Sequence, residues 1–176
     1  MTDDSSLAAE IDAVARLKGD FRLRSGALAS EYFDKYRFEA DPRLLARIAG
    51  RMAGLLPARC EVLAGLELGG VPIATAMALQ TGLPAAFVRK AAKDYGTCRA
   101  VEGADVSGKA VVIVEDVITT GGQVVQSAAM LGEVGAEVIA VVCAIWRGQG
   151  APSIEALADV PVFAAFTRAD LDASRS

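Results

Sequence analysis

The segment Val111–Gln123 combines residue types that can bind a phosphorylated sugar. It reads VVIVEDVITTGGQ, so an apolar run is followed by the acids Glu115 and Asp116 and then by two threonines and two glycines. Threonine hydroxyls and free amides at the start of a helix attract an anion, and glycines let the backbone approach a phosphate closely. Paired carboxylates beside such a site can accept hydrogen bonds from sugar hydroxyls or assist a magnesium ion. The alternative is a helix N-cap next to two solvated acids.

A second group of charged residues follows the apolar end of a predicted strand. The sequence FVRKAAKDYGT brings Arg89, Lys90 and Lys93 close together, and three cations at a strand end match the charge and size of a pyrophosphate. The polar, glycine-containing stretch that continues to Lys109 is long for a connection, and such loops often act as lids. Taken alone, these residues also fit a solvated charged loop.

Composition and missing residue types exclude several classes of protein. The chain has no histidine, which removes a histidine base, a Ser-His triad and histidine metal ligands. A net charge of −4 and a pI of about 4.9 disfavour a general nucleic-acid binder. Three scattered cysteines fit neither a disulfide framework nor a zinc site and predict a reducing cytoplasm. The polar start MTDDSS predicts no signal peptide, and no apolar run is long enough to predict a membrane span.

Alternating helices and short apolar strands must position these groups. The chain has 176 residues, of which 53% are hydrophobic, so we expect one domain over 1–176 with a full core. The alternation predicts an α/β fold with a central, mainly parallel sheet flanked by helices, and such sheets bind ligands at the carboxyl ends of their strands. The predicted strands are 61–64, 85–88, 110–114, 138–144 and 161–166. The predicted helices are 5–18, 42–56 (with Asp41 as N-cap), 70–81, 122–134 and 151–158. Two extended pieces are predicted around Ser25 and Gly26.

Three segments together resemble the orotate branch of the type I phosphoribosyltransferases. They are VVIVEDVITTGGQ at 111–123, RKAAKDYG at 89–96 and SGALASEYFD at 25–34, and the resemblance covers nearly the whole chain. It implies the fold of that family, with a small N-terminal hood segment over 1–40 and a flexible catalytic loop over 90–109.

The resemblance also implies an activity and its partners. Members of this family transfer the ribose 5-phosphate of phosphoribosyl pyrophosphate (PRPP) to orotate, on the way to UMP. We therefore expect PRPP and orotate as partners, with neither nucleic acid nor membrane. Mg²⁺ would be bound mainly through PRPP and water. The resemblance further implies a cytoplasmic homodimer in which the loop of each subunit covers the site of the other.

The resemblance assigns roles to particular residues. Lys93 and Asp116 would be catalytic, and Glu115 with Asp116 would hold the ribose hydroxyls. The implied contacts with PRPP and its pyrophosphate are Arg24, Arg89, Lys90, Lys93, Glu115, Asp116, Val117, Ile118, Thr119, Thr120, Gly121, Gly122 and Gln123. The implied contacts with orotate are Tyr32, Phe33, Thr119 and Arg147.

Three positions depart from the family pattern. Tyr95 stands where histidine is common, Gly69 where lysine is common, and Trp146 where aspartate is usual. Gly69 lies in the sequence GLELGGVP, which is similar to the family's pyrophosphate loop, and a cis peptide bond is expected there between Glu67 and Leu68. A glycine turn that caps a helix explains the same loop without a ligand.

Two other functions stay open at this point. The first is a phosphoribosyltransferase for another base, such as a purine or xanthine, but a purine enzyme would have no need of an arginine such as Arg147 to bind a carboxylate. A PRPP-binding regulator of the same fold would usually bring a DNA-binding domain or a basic RNA-binding face, and this acidic chain shows little sign of either.

Overall fold

The computed structural model describes residues 4–22, 26–90 and 100–174. The N-terminal part contains a helix, an antiparallel hairpin and a short second helix. These elements are α1 (Asp4–Ala15), β1 (Arg16–Arg22), β2 (Leu28–Phe33) and α2 (Tyr36–Glu39). The hairpin confirms the two extended pieces predicted on either side of residues 25 and 26.

The helix predicted over 5–18 ends earlier than expected. It stops at Ala15, because the next three residues pair with Glu31–Phe33 in the hairpin. Arg16 also forms ion pairs with Asp12 on α1 and with Glu31 on β2. Tertiary pairing therefore overrides the helical pattern of the sequence at this point.

The next helix, α3 (Pro42–Ala53), begins where its capping residues predict. The Asp41 carboxylate accepts hydrogen bonds from the backbone amides of Arg43 and Leu44, at 2.9 and 3.2 Å. Leu44, Ile48 and Met52 recur at every fourth position and form the buried face of the helix. The helix ends three residues before the predicted end at 56.

A six-stranded sheet forms the centre of the molecule. The strands lie in the order β5-β4-β3-β6-β7-β8, and all neighbours run parallel except β4 and β5, which are antiparallel. The strands are β3 (Val62–Leu66), β4 (Ala85–Val88), β5 (Val101–Gly103), β6 (Ala110–Ile118), β7 (Glu137–Trp146) and β8 (Val162–Thr167). The remaining helices are α4 (Gly70–Thr81), α5 (Gly122–Glu133) and α6 (Arg168–Ala173). The predicted mainly parallel α/β sheet is thus confirmed.

Both faces of the sheet are covered, as the runs of apolar residues require. Along β6, Val112 and Val114 pack into a core shared with α1, α3 and α4, whereas Val111 and Ile113 pack on the other face with α5. This alternation gives each face its own hydrophobic cluster. In the described ranges, no helix has the length and apolar character needed to cross a membrane.

Three elements differ from the prediction. The predicted loop over 90–109 extends too far, because β5 and the buried side chains of Val101 and Val106 lie within its second half. The helix predicted over 151–158 is only a single 3-10 turn at Glu155–Leu157. Strand β6 continues past residue 114, since its pairing with β7 extends to Ile118.

Loss of the Asp41 cap should destabilise the protein. Asp41→Ala leaves two backbone amides of α3 without their acceptor, so we expect the free energy of unfolding to fall by about 1 kcal/mol in urea titrations. Asp41→Asn keeps an acceptor oxygen and should retain most of the stability. Equal losses in the two variants would contradict the capping role.

Candidate active site

The sheet opens at its carboxyl edge between β3 and β6. These strands are paired only as far as Gly65 and Val114, whereas β6 remains paired with β7 as far as Ile118. Beyond Leu66 the chain turns away into α4. The segment from Glu115 to Ile118 therefore borders a gap at the end of the sheet, where parallel α/β folds bind ligands.

The predicted acids Glu115 and Asp116 lie in this gap within a buried cluster. Asp116 has no exposed surface, and Glu115 is only 6% exposed. The Nζ atom of Lys35 lies 2.6 Å from Oδ2 of Asp116. Glu39, at the end of α2, is also buried and lies beside Asp116. In the part of the chain that the structure describes, three carboxyl groups therefore share the ammonium group of Lys35.

This arrangement decides which acids are charged. Burial raises the pKa of Glu39 to about 9, and hydrogen bonding and repulsion from Asp116 act in the same direction. Burial likewise raises the pKa of Glu115 to about 9, with Asp116 again contributing. Burial also opposes the charge on Asp116, but hydrogen bonds from Glu115 and Lys35 outweigh it and lower the pKa of Asp116. At neutral pH the cluster thus contains one ion pair and two protonated acids.

Gly69 is a glycine because the acid cluster occupies the space beside it. A Cβ atom on Gly69 would overlap the Asp116 carboxylate and would lie 2.8 Å from Oε1 of Glu39. A lysine, which the family pattern predicts here, cannot be accommodated unless these two side chains move. Glycine in place of the family's common lysine at position 69 therefore leaves the space that the buried Asp116 carboxylate occupies.

The predicted phosphate loop lies directly after β6. Thr119 and Thr120 are exposed, and Gly121 has a φ of +77° and is buried at the start of α5. A Cβ on Gly121 would come within 2.8 Å of the Ile154 side chain, so both its conformation and its contacts favour glycine. The side chain of Ile118 is in the core, and only its backbone is available to a ligand.

Glu67 connects three of the predicted loops. Its carbonyl accepts a hydrogen bond of 2.6 Å from the Gln123 amide, and its carboxylate accepts one of 2.9 Å from the backbone amide of Lys90. The peptide bond between Glu67 and Leu68 is cis, as expected. Gln123 is therefore engaged with the backbone of the loop after β3 in this conformation.

Arg89 and Lys90 are the described cations of the charged segment after β4, which we call the basic loop. They share a cavity with the start of α5. Arg89 and Lys90 line a space of about 260 Å³ together with Gly122 and Gln123. The buried Nε of Arg89 has no hydrogen-bond partner in the described ranges. The structure thus brings Arg89 and Lys90 together with the first turn of the helix that follows the predicted phosphate loop. The predicted residues Arg24 and Lys93, and the departure at Tyr95, lie outside the described residues.

Arg147 lies at the same edge of the sheet, after β7. Its backbone amide donates to the carbonyl of Ile118 at 2.8 Å, and its guanidinium lies over the Phe33 ring at 5.4 Å from the ring centre. Among the residues that the structure describes, the guanidinium has no ion-pair partner. Burial lowers the pKa of Arg147, and the positive charges of Arg168 and Arg16 lower it further. This cation is therefore suited to an incoming anion.

The two aromatic residues predicted to contact orotate differ in their surroundings. Phe33 is half-buried between Arg147 and Phe38, whose ring centre is 6.4 Å away. Tyr32 is 46% exposed, and its nearest ring neighbour is Phe21 at 5.6 Å. Phe33 thus supports Arg147 from below, while Tyr32 stands on the outer face of the hairpin.

Comparison with known proteins identifies the family. Residues 26–165 match the family model described as "Phosphoribosyl transferase domain". An orotate phosphoribosyltransferase from Nocardioides sp. is 56% identical over 175 residues, covering 99% of this chain and 98% of that one. The chain belongs to the orotate phosphoribosyltransferase family.

Solved structures of this family agree with the fold. The orotate phosphoribosyltransferase of Mycobacterium tuberculosis in complex with inorganic phosphate has a TM-score of 0.85 at 31% identity, covering 98% of this chain and 99% of that chain. The same enzyme in complex with PRPP has a TM-score of 0.82 at 28% identity, covering 96% and 98%. The expected type I phosphoribosyltransferase fold is confirmed.

Sequence reasoning missed three residues of this orotate phosphoribosyltransferase site. Lys35 and Glu39 belong to the N-terminal segment, and nothing in their local pattern distinguishes them from surface charges. Glu67 lies in the GLELGGVP loop, whose glycines form a recognisable pattern while its acid does not. The only available signal was their position next to recognised motifs.

The acid cluster should make stability depend on pH. Because the pKa values of Glu39 and Glu115 are raised to about 9, the folded state binds more protons than the unfolded state between about pH 5 and 9. The free energy of unfolding should therefore fall as pH rises through this window. Glu39→Gln removes one of the two titrations and should make the decline shallower by up to about 1.4 kcal/mol per pH unit in urea titrations.

Glu137→Gln is the matched control for this measurement. Glu137 is exposed, and its hydrogen bond with Arg59 lowers its pKa, so its titration is complete below the window. Its substitution should leave the slope unchanged. Identical slopes in wild type and Glu39→Gln would show that Glu39 does not hold a proton in the folded state.

Proposed function

We propose that this chain transfers the 5-phosphoribosyl group of PRPP to orotate, forming orotidine 5′-phosphate and pyrophosphate for UMP synthesis. The observation that carries the proposal is Arg147, a cation without an ion-pair partner in the described ranges, held on Phe33 beside the phosphate loop. A guanidinium in this position can bind the orotate carboxylate in a bidentate manner. The high identity to a curated orotate phosphoribosyltransferase supports the same activity.

The phosphoribosyl group would bind along the end of β6. The backbone from Ile118 to Gly122 and the hydroxyls of Thr119 and Thr120 offer donors to the 5′-phosphate at the start of α5. Glu115 and Asp116 would accept hydrogen bonds from the ribose hydroxyls. Both acids are buried here, so ribose binding requires a small movement of the residues that cover them.

The reaction itself leaves little covalent work for the protein. N1 of orotate attacks C1 of the ribose as the C1–O bond to pyrophosphate breaks, and the ribose gains oxocarbenium character as in other glycosyl transfers. Arg147 and Thr119 would orient orotate for this attack. Arg89, Lys90 and Lys93 would stabilise the charge that develops on the leaving pyrophosphate.

Magnesium enters this proposal as an ion bound mainly by PRPP oxygens and water. Oxygen donors suit Mg²⁺, but two of the three clustered acids have a pKa raised to about 9 and are poor ligands at neutral pH. Asp116 is ionised but already paired with Lys35, so both Glu115 and Asp116 would act on the bound ion through water. When bound, the ion would neutralise charge on the pyrophosphate.

A cytoplasmic location completes this part of the proposal. Cys60 and Cys143 are free thiols, which fits a reducing compartment.

The substrate assignment is tested by following pyrophosphate release from PRPP with several bases. We expect turnover with orotate in the presence of magnesium, and little with hypoxanthine, guanine or adenine. Arg147→Ala removes the partner of the orotate carboxylate and should lower kcat/KM for orotate about 10- to 100-fold, with a much smaller change in KM for PRPP.

Arg59→Ala is a suitable control, because Arg59 is an exposed arginine paired with Glu137 away from the site. It should leave both constants unchanged. Good turnover of a purine base together with no turnover of orotate would contradict the proposed substrate. A loss of PRPP affinity in Arg147→Ala that equals the loss for orotate would show that Arg147 does not recognise the base.

We also propose a homodimer whose subunits share their active sites through the basic loop. Four of the large exposed apolar side chains belong to the hairpin, to α2 and to the loop after β3, close in sequence to site residues. They are Leu28, Tyr32, Tyr36 and Leu68. Apolar side chains at such positions are suited to a subunit interface beside the site.

Mixing two inactive variants tests the sharing of sites. Lys93→Ala removes the donated cation, and Asp116→Asn damages the receiving site. If sites are shared, one site of each mixed dimer is whole, so random exchange should restore about a quarter of wild-type activity. Continued inactivity after proven subunit exchange would rule out shared sites and leave the substrate assignment untouched.

A further inference from the structure

Lys35 supplies the cation that balances the buried acid cluster. It lies between β2 and α2, in the N-terminal segment, and its Nζ atom is 2.6 Å from Oδ2 of Asp116 on the central sheet. The Lys35 side chain is 34% exposed, whereas the Asp116 side chain has no exposure. An ion pair therefore joins the N-terminal segment to the strand that carries the proposed ribose-binding acids.

Asp116 depends on this contact because, within the described ranges, its other neighbours cannot neutralise it. Its Oδ1 atom accepts a hydrogen bond from the backbone amide of Val117, and its carboxylate lies between Glu39 and Glu115. A carboxylate that is fully removed from water and surrounded by other acids is costly without a cation. Without Lys35, Asp116 would take up a proton or turn towards solvent, and either change would alter its hydrogen bonding.

The side of the cluster that faces α4 cannot provide the cation instead. Any side chain at Gly69 would overlap the Asp116 carboxylate in its present position. Lys35 approaches the same oxygen, Oδ2, from the N-terminal segment. The small residue at position 69 and the lysine at position 35 therefore form one arrangement around a single oxygen atom.

We propose that Lys35 is a positioning residue for PRPP, which holds Asp116 as an oriented, ionised carboxylate and so couples the N-terminal segment to the ribose site. This inference rests on the proposed function. It assigns Lys35 an indirect role: the ammonium acts on the ligand through Asp116. A direct contact between Lys35 and a phosphate of PRPP is the competing explanation, and the two make different predictions for combined substitutions.

A double-mutant cycle separates these two explanations. The dissociation constant of PRPP is measured by calorimetry with magnesium and no base, for wild type, Lys35→Met, Asp116→Asn and the double variant. We expect Lys35→Met to weaken PRPP binding about tenfold or more in the wild-type background. In the Asp116→Asn background the same change should have an effect of less than about twofold, because its partner is already lost.

Three further variants complete the design. Lys35→Arg keeps the charge and should restore binding to within about threefold of wild type. Lys109→Met removes another lysine from an ion pair, with Glu61 at the opposite end of β6, and should leave PRPP binding unchanged. Thermal unfolding of each variant separates a loss of fold from a loss of binding. If Lys35→Met does not fold, Lys35→Gln replaces it in the cycle.

Several results would overturn the inference. If Lys35→Met raises the PRPP dissociation constant by the same factor in the wild-type and Asp116→Asn backgrounds, Lys35 contacts PRPP directly. If Lys35→Met leaves the dissociation constant unchanged, Lys35 has no role in PRPP binding. A wild-type protein that binds no PRPP would overturn both this inference and the proposed function. Binding of PRPP without turnover of orotate would overturn only the proposed function.

Discussion

Asp116 carries a negative charge without contact with water, and much of the site is arranged around this constraint. A buried carboxylate has to be matched by a cation and by hydrogen bonds, since its desolvation otherwise exceeds what folding can supply. Lys35 provides the cation, and Glu39 and Glu115 hold protons at neutral pH because three negative charges cannot share one ammonium group. Gly69 completes the arrangement by leaving the space that the carboxylate occupies.

The geometry of the sheet explains why the other functional groups meet at this place. Strand β6 continues beyond the end of β3, so the loops after β3, β4, β6 and β7 surround one gap. Glu67 then connects these loops through hydrogen bonds with Gln123 and with the amide of Lys90. Segments with separate motifs are thereby joined by hydrogen bonds at one edge of the sheet.

The proposed base-binding side, around Arg147, has the opposite electrostatic character. Asp172 is the acid whose negative charge acts on Arg147. It already forms ion pairs with Arg16 at 3.2 Å and with Arg168 at 3.6 Å. Arg147 is therefore left with the face of Phe33 and with other positive charges around it. A surplus of positive charge at this position favours an anionic base over a neutral one. The acids of the proposed ribose site are neutralised within the protein, whereas Arg147 at the proposed base site would take its counterion from the ligand.

Much of this could be predicted from the sequence, because the signals are local. The apolar run before Glu115, the threonines and glycines after it and the Asp41 cap each determine their own structure within a few residues. The short antiparallel strand β5 escaped prediction because three residues carry no periodic pattern. Local signals were thus sufficient for the α/β sheet, the glycine turn that follows β6 and the family. The contacts of Lys35, Glu39 and Glu67 were decided only by the tertiary structure, since charge and burial depend on neighbours that are far away along the chain.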